Sequence, residues 1–203
     1  MRVRVTFSKQ GALRYTSHLD LHKMLERSIR RARLPLAYSQ GYHPQPKLNL
    51  AAALPLGFSS RAEVMDMWLN EDVENIVSAL QANVPPGLII LDSKAVDDRE
   101  SSLQSQVIAA EYQVEITEAD SGAGLNEKIA SVLESESIPR VRRKKEYDLR
   151  PLIEELTLND ENHILMRLTA REGATGRPEE VLDVMGIPLE NARIERTKLL
   201  FKE

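Results

Sequence analysis

The residues best suited to chemistry crowd into one stretch, residues 14–57. Three of the four histidines, His18, His22 and His43, lie there, with Asp20 between the first two and Arg14 and Lys47 nearby. An imidazole titrates near neutral pH. His18 or His43 is therefore suited to take the 2′-hydroxyl proton of an RNA chain, with Lys47 or Arg14 stabilising the phosphorane that follows. Asp20 is the third candidate catalytic group. His18 and His22 also stand at i, i+4, the spacing of paired metal ligands on a helix, with His43 available as a third. No Glu completes an HExxH arrangement, so no metal site is expected. A plainer use is a histidine that only hydrogen-bonds phosphate or backbone.

Positive charge surrounds these groups. Residues 1–50 carry ten Lys and Arg against two acids, Asp20 and Glu26; a net charge of -4 for the chain then leaves -12 on the remaining 153 residues. Screening over about 8 Å lets such a local field attract a polyanion even on an acidic protein. Arg14, Lys23, Arg27, Arg30, Arg31 and Lys47, together with Arg2, Arg4 and Lys9, are the expected phosphate contacts. Tyr15, Tyr38 and Tyr42 are suited to stack on unpaired bases, which points to RNA. A solvated cationic surface would carry the same pattern.

The elements that must position these residues follow from hydrophobic period. Val3, Val5 and Phe7 alternate with Arg2, Arg4 and Thr6, a half-buried strand with a basic outer face. Ser17 with Asp20 three residues on is close to a capping box, and opens a helix over residues 17–32. Leu21, Met24, Leu25, Ser28, Ile29 and Ala32 share one face of it, while Lys23, Arg27, Arg30 and Arg31 gather on another. The loop over residues 38–47 is shaped by Ser39, Gly41, Pro44 and Pro46, just as Ser17 shapes the helix start. Residues 47–53 and 62–69 predict strands, with a short extra one near Leu36; residues 71–80 predict a helix with acids in its first turn, and residues 88–91 a short strand. The resulting β-α-β-β-α-β order is that of a ferredoxin-like, split βαβ domain over residues 1–94.

A polar linker is expected over residues 94–106, and then a second, smaller unit over residues 107–203. Strands are predicted over 107–116, 138–144, 153–158, 164–169 and 192–201, with helices over 123–133 and 177–185. The expected fold class is thus α+β, two tandem ferredoxin-like units. The basic strand at 138–144 either extends an RNA track or is an edge strand protected by charge and by Pro139.

Composition excludes much else. There are no cysteines, hence no disulfides, cysteine nucleophiles or thiolate-held metal clusters. No Walker loop, GxGxxG, GxSxG or kinase motif appears, and no cofactor is expected. No apolar run is long enough for a spanning helix and the N-terminus lacks a signal-peptide core, so a cytoplasmic location away from membranes is expected.

The strings RYTSHLD, ERSIRRARLP, YSQGYHPQPKLNLA and LPLG, with weaker echoes in EYDLRP and GRPEEVL, resemble an uncharacterised bacterial family. Its members are encoded beside, or fused to, cobalamin-binding radical SAM proteins. The resemblance points to Arg14, Tyr15, Ser17, His18, Asp20, Arg27, Arg31, Tyr38, Ser39, Gly41, His43, Pro44 and Pro46, and leaves His22 outside the pattern. It implies a radical SAM protein as partner. Lacking cysteine, this chain would serve such chemistry as an accessory. The leading expectation is an RNA-binding accessory of that partner in tRNA or ribosomal RNA modification. The alternatives are a metal-independent RNA-processing ribonuclease using His18 or His43, and a protein-only adaptor.

Overall fold

Alternation sorts the first strand, β1 (Arg2–Lys9), into two faces, and the apolar one seeds a core. Val3, Val5 and Phe7 are buried with Leu21, Leu25 and Ile29 of helix α1 (His18–Arg31). Strands β2 (Leu48–Leu50) and β3 (Ser59–Trp68), helix α2 (Ile76–Gln81), strand β4 (Leu88–Val96) and the short helix α3 (Leu103–Gln106) follow. The computed structural model describes residues 1–118 and 124–202. It is a mixed α+β structure that divides into two compact units, Met1–Val107 and Ile108–Glu203.

In the first unit the strands lie in the order β2-β3-β1-β4, each neighbouring pair antiparallel. Helices α1 and α2 supply Leu21, Leu25, Ile29, Ile76 and Leu80 to one core with Val3, Val5, Met65, Met67, Leu88 and Ile90. Helix α1 forms where capping and periodicity agree. Ser17 Oγ accepts from the Asp20 backbone N–H at 3.2 Å, and Leu21, Leu25, Ser28 and Ile29 make its buried stripe. It ends in a left-handed Arg33 (φ 56°), with Leu34 N–H donating back to the Ile29 carbonyl at 3.2 Å, before Pro35.

Several boundaries differ from expectation for physical reasons. Asn75, at φ 58°, redirects the chain, so α2 begins only at Ile76 and Glu71, Asp72 and Glu74 precede the helix. The strand expected over 47–53 contracts to Leu48–Leu50, and the one near Leu36 is a single bridge to Leu69. Strand β4 runs past Leu91 to Val96, because its polar half still pairs with β1, Lys94 opposite Arg4 and Val96 opposite Arg2.

The second unit holds β5 (Val107–Ile116, starting at the boundary), α4 (Leu125–Glu134), β6 (Pro139–Arg142), β7 (Lys145–Asp148), β8 (Ile153–Leu158), β9 (Ile164–Arg171), β10 (Ala174–Thr175), α5 (Pro178–Val184) and β11 (Ala192–Phe201). Strand β9 pairs with β8 and β10 and, antiparallel, with β5, whose other neighbour is β11. Residues 123 and 203, where the helix over 123–133 and the second unit were expected to begin and end, lie outside the described residues. The single basic strand expected over 138–144 is instead half of a hairpin, β6 with β7, that forms its own two-stranded sheet. No described helix is long and apolar enough to cross a membrane.

Candidate nucleic-acid interface

The basic face of β1 is closed. Arg2 is 2% exposed and Asp66 on the neighbouring strand 0%. Register places Arg4 directly opposite Asp66. Arg2 Nε and Nη2 donate to Asp66 Oδ2 at 2.9 and 2.6 Å, and Arg4 Nε donates to Oδ1 at 2.8 Å. Arg2 also donates to the Glu100 and Ser101 carbonyls at 2.9 and 3.0 Å, and Arg4 to Gln106 Oε1 at 3.1 Å. These bonds tie residues 97–106 to the sheet, where a loose linker was expected. The hydrogen bond to Asp66, opposed by burial, lifts the Arg4 pKa further above its ordinary value. Lys9 is buried as well, its Nζ donating to the Thr16 carbonyl at 3.0 Å. None of these three serves as an open phosphate contact, correcting the expectation drawn from charge alone. A charge this deep needs its partner, so Asp66 is structural.

Helix α1 is different. Lys23, Arg27, Arg30 and Arg31 are all exposed, lying away from the buried stripe. Lys23 and Arg27 have no side-chain partner among the described residues. Arg30, 66% exposed, makes among the described residues only a 3.8 Å approach to Glu26, a pair of little strength in solvent. Arg31 is partly committed: its Nη2 donates to the Asn83 carbonyl at 2.8 Å and to Ser28 Oγ at 3.3 Å, tying α1 to the turn after α2. Arg33, exposed just past the helix, adds a cation that periodicity did not single out.

The loop after α1 has defined edges. Ala37 and Lys47 pair through a 2.8 Å backbone bond, Tyr38 bridges Pro46, and Ser39 N–H donates to the Gln45 carbonyl at 2.8 Å. Ser39 Oγ in turn accepts from Gln45 N–H at 2.9 Å. Residues 40–44 at the tip are all exposed, with Gly41 at φ 137°, a conformation that favours glycine. Tyr42 at the tip is fully exposed, whereas Tyr38 is 37% exposed, so Tyr42 offers the larger stacking face. The Lys47 side chain is exposed and without a partner among the described residues.

Asp20, His43 and His22 each have their own local contacts. Asp20 Oδ2 accepts from Ser17 Oγ at 2.7 Å, completing the cap, and its carboxylate makes no other side-chain bond among the described residues. His43 is exposed; among the described residues no side chain orients its ring, and its carbonyl accepts from Gln45 Nε2 at 3.4 Å. His22 Nε2 lies 3.2 Å from the Leu48 carbonyl, which fixes α1 to β2 if that nitrogen carries the proton. His18 is the half-buried first residue of α1. Arg14 lies 4.7 Å over the exposed Tyr15 ring and donates to its hydroxyl at 2.6 Å. Among the described residues no group of three or more His, Asp or Glu is placed to hold a metal ion.

Residues 2–178 match the family described as "Uncharacterized protein conserved in bacteria (DUF2344)". The chain belongs to that family. Everything from β1 to the first residue of α5 lies inside the matched region, including α1, the 38–47 loop and the β6–β7 hairpin. No curated protein matches the chain. Within this DUF2344 chain a second basic run repeats the contrast between closed and open cations. Arg140 Nη1 meets Asp183 Oδ2 at 2.7 Å and Arg142 Nη2 meets Glu180 Oε2 at 2.6 Å, both docking the hairpin on α5. Burial opposes, but the hydrogen bond and charge of Glu180 leave the Arg142 pKa raised.

Proposed function

We propose that this DUF2344 protein is a cytoplasmic, accessory RNA-binding protein that presents RNA to a cobalamin-binding radical SAM partner, with tRNA and ribosomal RNA as the substrate classes. The observation that carries the RNA half is the set of exposed cations on and after α1, Lys23, Arg27, Arg30 and Arg33, with Lys47 on the loop that follows. Phosphate contacts need cations whose charge is not already spent, and the Tyr42 tip adds a ring free to stack. Strand orders β2-β3-β1-β4 and β8-β9-β5-β11 are those of split βαβ units and support two tandem ferredoxin-like units. Such sheets host many functions, so the order supports the fold and leaves the site to carry the binding.

The radical SAM half rests on the resemblance of the opening motifs, together with the absence of cysteine, which denies this chain thiolates for a cluster. Ribonuclease chemistry at His18 or His43 loses support because Asp20 is engaged in capping and the His43 ring has no orienting partner among the described residues.

Binding of a fluorescent single-stranded RNA, followed by anisotropy over a salt series, tests the proposal. Five neutralised phosphates give a log-log slope of about -3.5. The variant Lys23→Glu with Arg27→Glu is expected to bind markedly more weakly; unchanged binding would refute the assignment. Co-purification of a radical SAM protein after nuclease treatment, with no RNA affinity, would favour a protein-only adaptor.

A further inference from the structure

Five of the six residues 140–145 are basic, and the hairpin divides them by function. Arg140 and Arg142 point to α5, held by Asp183 and Glu180, and Arg142 also lies 4.8 Å over the Tyr147 ring. Arg143, Lys144 and Lys145 are exposed and have no side-chain partner among the described residues.

Folding gives no reason for cations at the turn itself. Arg142 pairs with Lys145, leaving Arg143 and Lys144 as a two-residue turn with φ 51° and 67°. Two left-handed residues between antiparallel strands form a type I′ turn, where Asn-Gly is the favoured pair and an L side chain with a long stem is strained. Adjacent like charges add repulsion. The base of the hairpin is meanwhile built firmly. Asp148 Oδ1 accepts from Ile138 N–H at 2.7 Å and Arg150 N–H at 2.9 Å, and Leu149 N–H donates to the Ile138 carbonyl at 2.9 Å. Cations held at a fixed tip lose less freedom on binding than cations on a loose loop.

We infer that the Arg143-Lys144-Lys145 tip of the β6–β7 hairpin is a second RNA contact, gripping the phosphate backbone. This rests on the RNA-binding function proposed above. An anionic bilayer fits less well: only three cations are open, whereas lipid-binding clusters carry roughly four to eight. The other outward pair, Val141 opposite Glu146, offers one apolar side chain and an acid, with no aromatic anchor.

The test uses the full chain, the same single-stranded RNA probe and the variant Arg143→Asn with Lys144→Gly. Installing the favoured turn pair should raise the melting temperature while binding weakens, and the salt slope should shrink in magnitude by about 1.4 for two lost phosphate contacts. Opposite signs for stability and affinity separate this from misfolding. A second variant, Lys145→Ser, lies outside the left-handed pair and should reduce the slope by about 0.7. If both hairpin variants bind like wild type while Lys23→Glu with Arg27→Glu does not, the hairpin assignment fails alone. If wild type binds no RNA, both assignments fail. Capture of wild type by phosphatidylserine vesicles, lost in the hairpin variants, with no RNA affinity, would also overturn the inference.

Discussion

Strand β1 and helix α1 both present a row of basic residues in the first unit, and the two rows have opposite roles. On β1 the guanidinium groups of Arg2 and Arg4 converge on one carboxylate, Asp66, inside the fold. On α1 the side chains of Lys23 and Arg27 stand in solvent with no acid partner among the described residues. The difference lies in register. A strand on the neighbouring position of the sheet delivers an acid to the row on β1, while no described element brings one to Lys23 or Arg27 on α1. The β6–β7 hairpin repeats the contrast within six residues, Arg140 and Arg142 spent on α5 and the tip left open. Charge density therefore marks a candidate surface, and the position of the acids decides whether it can hold an outside anion.

Removing the acid is the largest way to break this comparison. Asp66→Ala leaves Arg2 buried without its counter-charge and should cost about 3–5 kcal/mol, read from urea unfolding. A loss below about 1 kcal/mol would mean that the β1 row is not held by Asp66. A smaller effect is expected at Arg31, the α1 cation that bonds to the turn after α2. Arg31→Ala removes the bond to the Asn83 carbonyl and should cost about 1 kcal/mol, with RNA binding little changed. If RNA binding falls as far as in Lys23→Glu with Arg27→Glu, Arg31 belongs with the open cations.

The smallest effect concerns pH. Backbone hydrogen bonds from Ile138 and then Arg150 hold the Asp148 carboxyl below its ordinary 3.8. A depressed folded value stabilises above the unfolded pKa, and the contribution is lost as pH falls from about 3.8 through the lower folded value. Glu179 runs the other way. Burial raises its pKa above 4.5, so its contribution is present below 4.5 and lost as pH rises through the raised value. Asp148→Asn should flatten the acid limb of thermal stability and Glu179→Gln the limb above it. An unchanged profile in either variant would contradict its assignment.

Much of the fold was readable because its cues are local. Ser17 and Asp20 mark the start of α1, and the apolar runs bounding β5, β8 and β11 coincide with the strands observed. The misses share a cause in distance or in unusual turn chemistry. The acid that closes the β1 row is more than sixty positions away, and only strand register reveals the pairing. The polar end of β4 carries no apolar period, and the β6–β7 turn uses Arg-Lys where Asn-Gly would have announced it. At the candidate site, sequence singled out the helix and the loop after it by charge, gave Tyr38 and Tyr42 equal weight and passed over Arg33. Exposure distinguishes these residues, and composition does not carry it.

The central claim is that unspent cations on and after α1 bind RNA. It is tested most directly by anisotropy titration of a single-stranded RNA with wild type and with Lys23→Glu plus Arg27→Glu, across a salt series. The five cations on and after α1 should contribute about -3.5 to the wild-type slope and the three at the hairpin tip about -2.1 more, and the variant's slope should be smaller in magnitude by at least about 1.4, with affinity near 0.1 M salt lower by about tenfold or more. Its stability should stay within about 0.5 kcal/mol. Equal affinity and slope for the two proteins would contradict the account.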